Sequence, residues 1–299
     1  MPVWKVTMNT VGFIGLGNIG TPMSQNLLRT GFDVIGFDLV RNSAFIEAGG
    51  RFAESAQDVG LQADVIVQSL PTAAVLESVI TDLLEVARKG QTVIDISGYS
   101  LEAKQQAAER LAQQGVTMLD CEISGLPFMV ANRTAVIFQA GDEQCVNELK
   151  EVFDGMADTC FYLGKFGSAT KMKLLANMMV AIHNSVGGEV LNLAARIGVD
   201  PDIAVKVLGS SAGGSVTFSN KAPVMISRDF EGGPGPFRHM AHYLDRAAEM
   251  ARQAGAATPL LDKTREHYQI ADEENRGDQD IAAVIELLEA ASTDTPKER

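Results

Sequence analysis

The chain has 299 residues, 46% of them hydrophobic, enough for two domains that each bury a core. A formal charge of −13 and a sequence pI near 4.8 exclude the basic patch that a nucleic acid or an anionic membrane would need, and small molecules are the natural ligands. Cys121, Cys145 and Cys160 make no C-x-x-C pair, and His183, His239, His242 and His267 have no metal-binding spacing, so no disulfide framework and no metal are expected, and a reducing cytoplasm fits best.

In chain order, Met1 to Thr10 lacks the apolar centre of a signal peptide, and no run approaches the roughly 18 apolar residues of a membrane span. The apolar run Val11 to Ile14 then leads into Gly15-Leu16-Gly17-Asn18-Ile19-Gly20, a strand turning tightly into a helix. In G-x-G-x-x-G the first glycine allows the turn, the second lets backbone approach a pyrophosphate, and the third lets helix pack on strand. Helix N-terminal amides face the phosphate charge. Ile19, Met23 and Leu27 follow at helical spacing, and a second strand, Asp33 to Phe37, ends in Asp38. An acid about 20 residues beyond the glycines suits a ribose 2′-OH and disfavours a 2′-phosphate, which points to NAD, with NADP the alternative because Arg41 lies three residues further on.

Val65 to Val67, Val93 to Ile96, Val116 to Leu119, Ala135 to Phe138 and Phe161 to Leu163 read as further strands, with helices at Ala74 to Arg88 and Leu101 to Gln114 between them. This alternation implies an α/β Rossmann-type, doubly wound parallel sheet. After Gly167 long helical patterns take over, interrupted at Gly198 to Pro201, Gly213-Gly214 and Gly232 to Pro236, and the tail from Ser292 is polar. The expected organisation is a dinucleotide-binding domain over 1–167 and an all-α domain over 168–299 that begins with a long interdomain helix. In that helix, Ser168 to Arg196, the residues Met172, Leu174, Leu175, Met178, Met179, Val180 and Ile182 cover nearly every side, which predicts burial between domains or subunits. Lys173 and Asn177 sit four residues apart on one face of it. A lone lysine there would snorkel to water, but a polar partner one turn away makes the pair a candidate catalytic site.

At these residues the chain resembles the β-hydroxyacid dehydrogenase family, which includes 3-hydroxyisobutyrate dehydrogenase and tartronate semialdehyde reductase, over almost its whole length. Gly15 to Gly20, continuing through Thr21-Pro22 to Met23, matches the cofactor fingerprint. Asp120-Cys121-Glu122-Ile123-Ser124-Gly125-Leu126 resembles the substrate segment D-x-P-V-S-G-G. Gly164 to Ala169, leading to Lys173 and Asn177, resembles the catalytic segment G-x-x-G-x-G-x-x-x-K-x-x-x-N, and His242-Tyr243-Leu244 corresponds to a C-terminal K-D-L. Four departures stand out: Glu122 for proline, Leu126 for the second glycine, Ala169 for glycine, and His242 for lysine, which exchanges a permanent cation for a titrating one.

The resemblance implies an NAD(P)-dependent oxidoreductase moving hydride between nicotinamide and a β-hydroxyacid or its semialdehyde or keto form. It makes Lys173 the general acid/base, Asn177 a substrate-positioning residue, and Ser124, Gly125 and Leu126 the binding segment for a small anionic substrate. Leu70, Pro71, Ser97 and His242 are placed beside the cofactor, and a homodimer or homotetramer is implied. Plainer readings stand beside these: Ser124-Gly125 as an ordinary turn, Pro71 as a helix-start proline, and Ser97 as the cap of the helix beginning near Ser100. The helical region is too short for 6-phosphogluconate dehydrogenase itself. An imine-reductase-like enzyme is opposed by Lys173, and a non-catalytic cofactor-binding protein of the same fold by the presence of both Lys173 and Asn177.

Overall fold

Apolar residues at a period of two, buried on both faces, build the sheet of the first unit: Val65 and Val67 join the core on one side, and Ile66 joins the core on the other. The computed structural model describes residues 10–233 and 235–292. The expected start from Met1 to Asn9, Pro234 of the glycine-proline turn and the tail beyond Ser292 lie outside the described residues. Two compact units, Met1–Lys173 and Leu174–Arg299, divide the chain at a point inside one long helix.

The strands are β1 (Thr10–Ile14), β2 (Asp33–Phe37), β3 (Arg51–Phe52), β4 (Val65–Gln68), β5 (Thr92–Asp95), β6 (Thr117–Ser124), β7 (Val136–Ala140) and β8 (Thr159–Tyr162). They form one sheet in the order β3-β2-β1-β4-β5-β6-β7-β8. From β3 to β6 every pairing is parallel, so the carboxyl ends of β1, β2, β4, β5 and β6 meet along one edge. The expected strand over Val116 to Leu119 is longer than its apolar run, because it carries on through the buried polar residues Asp120 and Glu122 to Ser124. The sheet is largely parallel, as expected, and departs from it at its far side, where β7 runs antiparallel to β6. The segment between them holds only a five-residue helix, too short for the crossover that a parallel strand would require.

Helices of this unit are α1 (Gly20–Arg29), α2 (Ser43–Glu47), α3 (Ala56–Gln62), α4 (Ala73–Val86), α5 (Leu101–Ala112), α6 (Pro127–Ala131), α7 (Glu143–Glu148), α8 (Lys150–Met156) and the start of α9 (Ser168–Arg196). Their starts follow from side-chain caps: Asn42, Ser55, Thr72, Ser100 and Asp142 accept hydrogen bonds from first-turn amides of α2, α3, α4, α5 and α7. β3 and the shorter helices escaped the sequence reading because none is long enough to complete a periodic pattern.

The second unit continues α9 and adds α10 (Pro201–Gly209), α11 (Val216–Ser227), α12 (Phe237–Ala254), α13 (Pro259–Glu273) and α14 (Val284–Ala290). The foreseen breaks at Gly198 to Pro201 and Gly213-Gly214 are the α9–α10 and α10–α11 connections. Leu191, Phe218, Met225, Leu244 and Leu261 share one core with Phe237, whose ring meets Tyr268 edge-on at 5.1 Å. The sequence predicts α9 buried between domains or subunits, and within the single chain Met172, Leu175, Met179, Val186, Val190 and Leu193 are exposed along one stripe. Their three- and four-residue spacing places them on one line of the helix.

Candidate active site

At the carboxyl edge of the sheet, Gly15 takes φ of +91°, and a Cβ there would overlap the Ser69 carbonyl oxygen. A Cβ on Gly20 would overlap the Gly15 carbonyl oxygen. Gly17 is different: a Cβ there would meet nothing within 4 Å, so its bareness serves no contact inside the protein. Gly17 and Asn18 are exposed and Ile19 is half-buried at the head of α1. Asp38, at the end of β2, accepts a 2.6 Å hydrogen bond from the Leu16 amide. Asn42, which the sequence reading missed, donates to Leu16 O at 2.9 Å and to Thr21 Oγ1 at 2.8 Å, and its Oδ1 accepts from the Phe45 amide. Arg41 lies over the Phe52 ring at 5.3 Å. An open glycine, helix N-terminal amides and a carboxylate beside them fit a dinucleotide.

Leu70 and Ser97 come to the same edge. The Leu70 amide donates to Ser97 Oγ at 2.9 Å, and the Ser97 amide donates to Asp95 Oδ1 at 2.6 Å. Ser97 is therefore a tie between the ends of β4 and β5, and the cap of α5 is Ser100. Pro71 is exposed and precedes Thr72, which caps α4, so it is not a helix-start proline.

Behind this edge lies a buried ionic cluster of which the sequence reading saw only parts. Lys104 of α5 is fully buried, its Nζ 3.0 Å from Asp120 Oδ1, 2.9 Å from Cys121 O, 3.2 Å from Glu122 Oε1 and 3.8 Å from Asp95 Oδ1. Asp120 also accepts at Oδ2 from the Gly167 and Thr170 amides, both at 3.0 Å, and at Oδ1 from Thr170 Oγ1 at 2.7 Å. The acid thus anchors the first turn of α9. Burial pushes the Glu122 carboxyl up from 4.5 to about 7 despite the neighbouring Lys104 and Lys173 ammoniums, and it raises Asp95 as well. Carboxylates around Lys104 hold that ammonium in its charged form against burial. A signal for Lys104 existed: it is in phase with Ala107 and Leu111 on the apolar face of α5, where a lysine needs an anion.

Five residues into α9, Lys173 Nζ donates to Ile123 O at 2.7 Å. Burial pulls this lysine below its usual value, opposed by the Glu122 charge. The same strand ends at Ser124, half-buried with Gly125 and Leu126, and a Cβ on Gly125 would press on Ala135. Leu126 leads into α6. Ala169 lies inside α9, where no left-handed backbone is needed, so its departure from glycine is neutral. Gly164 and Gly167 do take positive φ, at +96° and +94°. Asn177 is buried one turn beyond Lys173 along α9. His242 belongs to the second unit and is exposed on α12.

Residues 10–164 match the family model described as the NAD binding domain of 6-phosphogluconate dehydrogenase. Residues 167–288 match the one described as NAD-binding of NADP-dependent 3-hydroxyisobutyrate dehydrogenase. The chain is 29% identical to mitochondrial 3-hydroxyisobutyrate dehydrogenase of Rattus norvegicus, over 95% of this chain and 88% of the relative. A solved structure of the Mycobacterium tuberculosis 3-hydroxyisobutyrate dehydrogenase with L-serine superposes with a TM-score of 0.84 at 28% identity, covering 94% of this chain and 99% of the other. An imine reductase from Pseudomonas sp., at 18% identity and a TM-score of 0.58 over 94% of this chain and 100% of the other, shares the fold alone.

Two outcomes follow from this geometry. Gly17→Val places bulk where the protein itself has none, so thermal unfolding should stay near wild type while NADH binding, read by fluorescence titration, is lost. Between pH 4.5 and about 7 the folded chain keeps a proton on Glu122 that the unfolded chain has released, so stability drains away as pH rises through that window. Glu122→Gln removes this contribution, and its Tm should fall less than that of the wild type between pH 5 and pH 8.

Proposed function

The chain belongs to the β-hydroxyacid dehydrogenase family of NAD(P)-dependent oxidoreductases acting on CH–OH groups, and we propose that it interconverts a small anionic β-hydroxyacid and its semialdehyde or keto form, with Lys173 moving the proton. The observation that carries this reading is the Lys173 amine, fixed by Ile123 O beside Ser124 at the carboxyl edge of the sheet. Bound NAD(P) supplies the hydride acceptor or donor. The Gly15 to Gly20 loop with the N-terminus of α1 would hold its phosphates, Asp38 its ribose, and Leu70, Pro71 and Ser97 the wall beside it. Asp38 favours NAD, and Arg41, drawn toward Phe52 and Glu54, is set against a 2′-phosphate.

In the oxidation direction the neutral Lys173 amine takes the hydroxyl proton; in reduction its ammonium stabilises the developing alkoxide and returns the proton. Burial lowers the lysine toward the range where both forms are accessible. Asn177, one turn along α9, is assigned to holding the reacting oxygen in register, and Ser124 with the Gly125 amide to the substrate carboxylate. Glu122 does not present an open negative charge to that segment, since it is buried and its carboxylate meets Lys104. The lysine favours this reading over an imine reductase. We place the protein in the cytoplasm as a homodimer or homotetramer: its described cysteines are unpaired, and the exposed stripe of α9 is the spacing a helix seam uses. Among the described residues no helix is long and apolar enough to cross a membrane.

The test is turnover by purified protein with NAD+ and NADP+ against a panel of hydroxyacids, sulfonates and phosphonates. On the best substrate, Lys173→Ala should lower kcat by about 10²–10⁴-fold with NADH Kd nearly unchanged, and Lys173→Arg should not rescue it, because guanidinium does not deprotonate. Near-normal turnover in Lys173→Ala would reject the role.

A further inference from the structure

Asp120, Glu122 and Ser124 alternate along β6 and so share one face of the strand, while Cys121 and Ile123 enter the core on the other. Asp120 is consumed by the first turn of α9 and by Lys104, and Ser124 stands at the open end. Glu122 lies between them, 2% exposed, in a position where the resembling substrate segment has an uncharged proline. A carboxylate has no reason to be buried there unless a cation meets it, and two do. Lys104 Nζ is 3.2 Å away, and the Lys173 side chain, whose Nζ is bonded to the carbonyl of the very next residue, lies within electrostatic range.

We propose that Glu122 is a positioning residue for Lys173: held in place by Lys104, its carboxylate stabilises the ammonium that forms when Lys173 accepts a proton. The arrangement parallels a buried carboxylate that steadies a protonated base without taking the proton itself. The step balances simply: the substrate O–H bond breaks, an N–H bond forms on Lys173, and the new positive charge is offset by a negative charge already in place. The groups that face Glu122 are Lys104 from α5, Lys173 from α9, Asp120 on its own strand and Tyr99 from the loop after β5, and Asp95 from the end of β5 meets the same Lys104 at 3.8 Å. Lys104 divides its one positive charge between Asp120 and Glu122, so once Glu122 is ionised part of its charge remains for Lys173 to meet. Burial and Glu122 act on Lys173 in opposite directions, and Glu122 sets how far the lysine falls.

This inference rests on Lys173 as the proton-transfer residue, and its test separates the two. The pKa of Lys173 is read directly by competitive acetylation of the whole protein with acetic anhydride across pH, followed by mass spectrometry, and independently from the pH dependence of kcat/KM for oxidation. Without the carboxylate the ammonium loses its support. In Glu122→Gln the labelling midpoint and the acidic limb of the rate profile should therefore both move to lower pH, by on the order of one unit. Glu122→Ala, which removes the charge in a smaller side chain, should give the same displacement if glutamine perturbs the packing. Unchanged Lys173 titration in both variants overturns the inference and leaves the proton-transfer reading standing; normal turnover in Lys173→Ala overturns both.

Discussion

Asp120 joins the parts of the first unit to which we assign the chemistry. One oxygen receives the Gly167 and Thr170 amides, the other receives Thr170 Oγ1 and the Lys104 ammonium, so a single buried carboxylate ties β6, α5 and the start of α9 together. The helix that begins there carries Lys173 one and a half turns on, back to Ile123 O on the same strand. The loop is closed: strand, acid, helix, lysine, strand. Removing one member of such a buried set leaves an uncompensated charge, which costs about 3–5 kcal/mol in comparable cases. The position of the amine is thereby tied to the integrity of the fold.

Around this lock the rest of the edge is arranged by shorter ties. Asp38 and Asn42 fix the glycine loop from β2 and from the cap of α2, and Ser97 fixes the turn after β4 to the end of β5. None of these requires a mobile side chain to be ordered on binding, which is how a site limits the entropy lost when a ligand arrives. Gly17 is the one glycine of the loop whose missing side chain leaves space rather than relieving a clash. That space is the one we assign to the pyrophosphate.

Much of this was legible in the sequence, and the remainder was hidden for physical reasons. The glycine loop, the Asp33 to Phe37 strand ending in Asp38, and the run of helices after Gly167 each carry a periodic or positional signal that does not depend on distant residues. Lys104, Asp120 and Glu122 carry meaning only in three dimensions: an acid in a strand and a lysine in a helix say nothing separately about a shared ion cluster. Lys104 did leave a trace, standing on the apolar face of its helix. In sequence Glu122 is only a departure from proline, whereas the structure turns its carboxylate onto Lys104. The apolar residues of α9 predict burial between domains or subunits, and a single chain covers only part of them, because a helix periodicity reports apolar surface without saying which molecule covers it.

The claim that Asp120 serves the reaction through the placement of Lys173 is tested most directly by a double-mutant cycle on kcat/KM with Asp120→Asn and Lys173→Ala, each variant first checked for folding. If the acid acts through the lysine, Asp120→Asn lowers activity in the wild-type background and has almost no further effect once Lys173 is gone. Losses that simply multiply in the double variant would contradict the account, and would make Asp120 a structural residue whose effect on turnover is independent of Lys173.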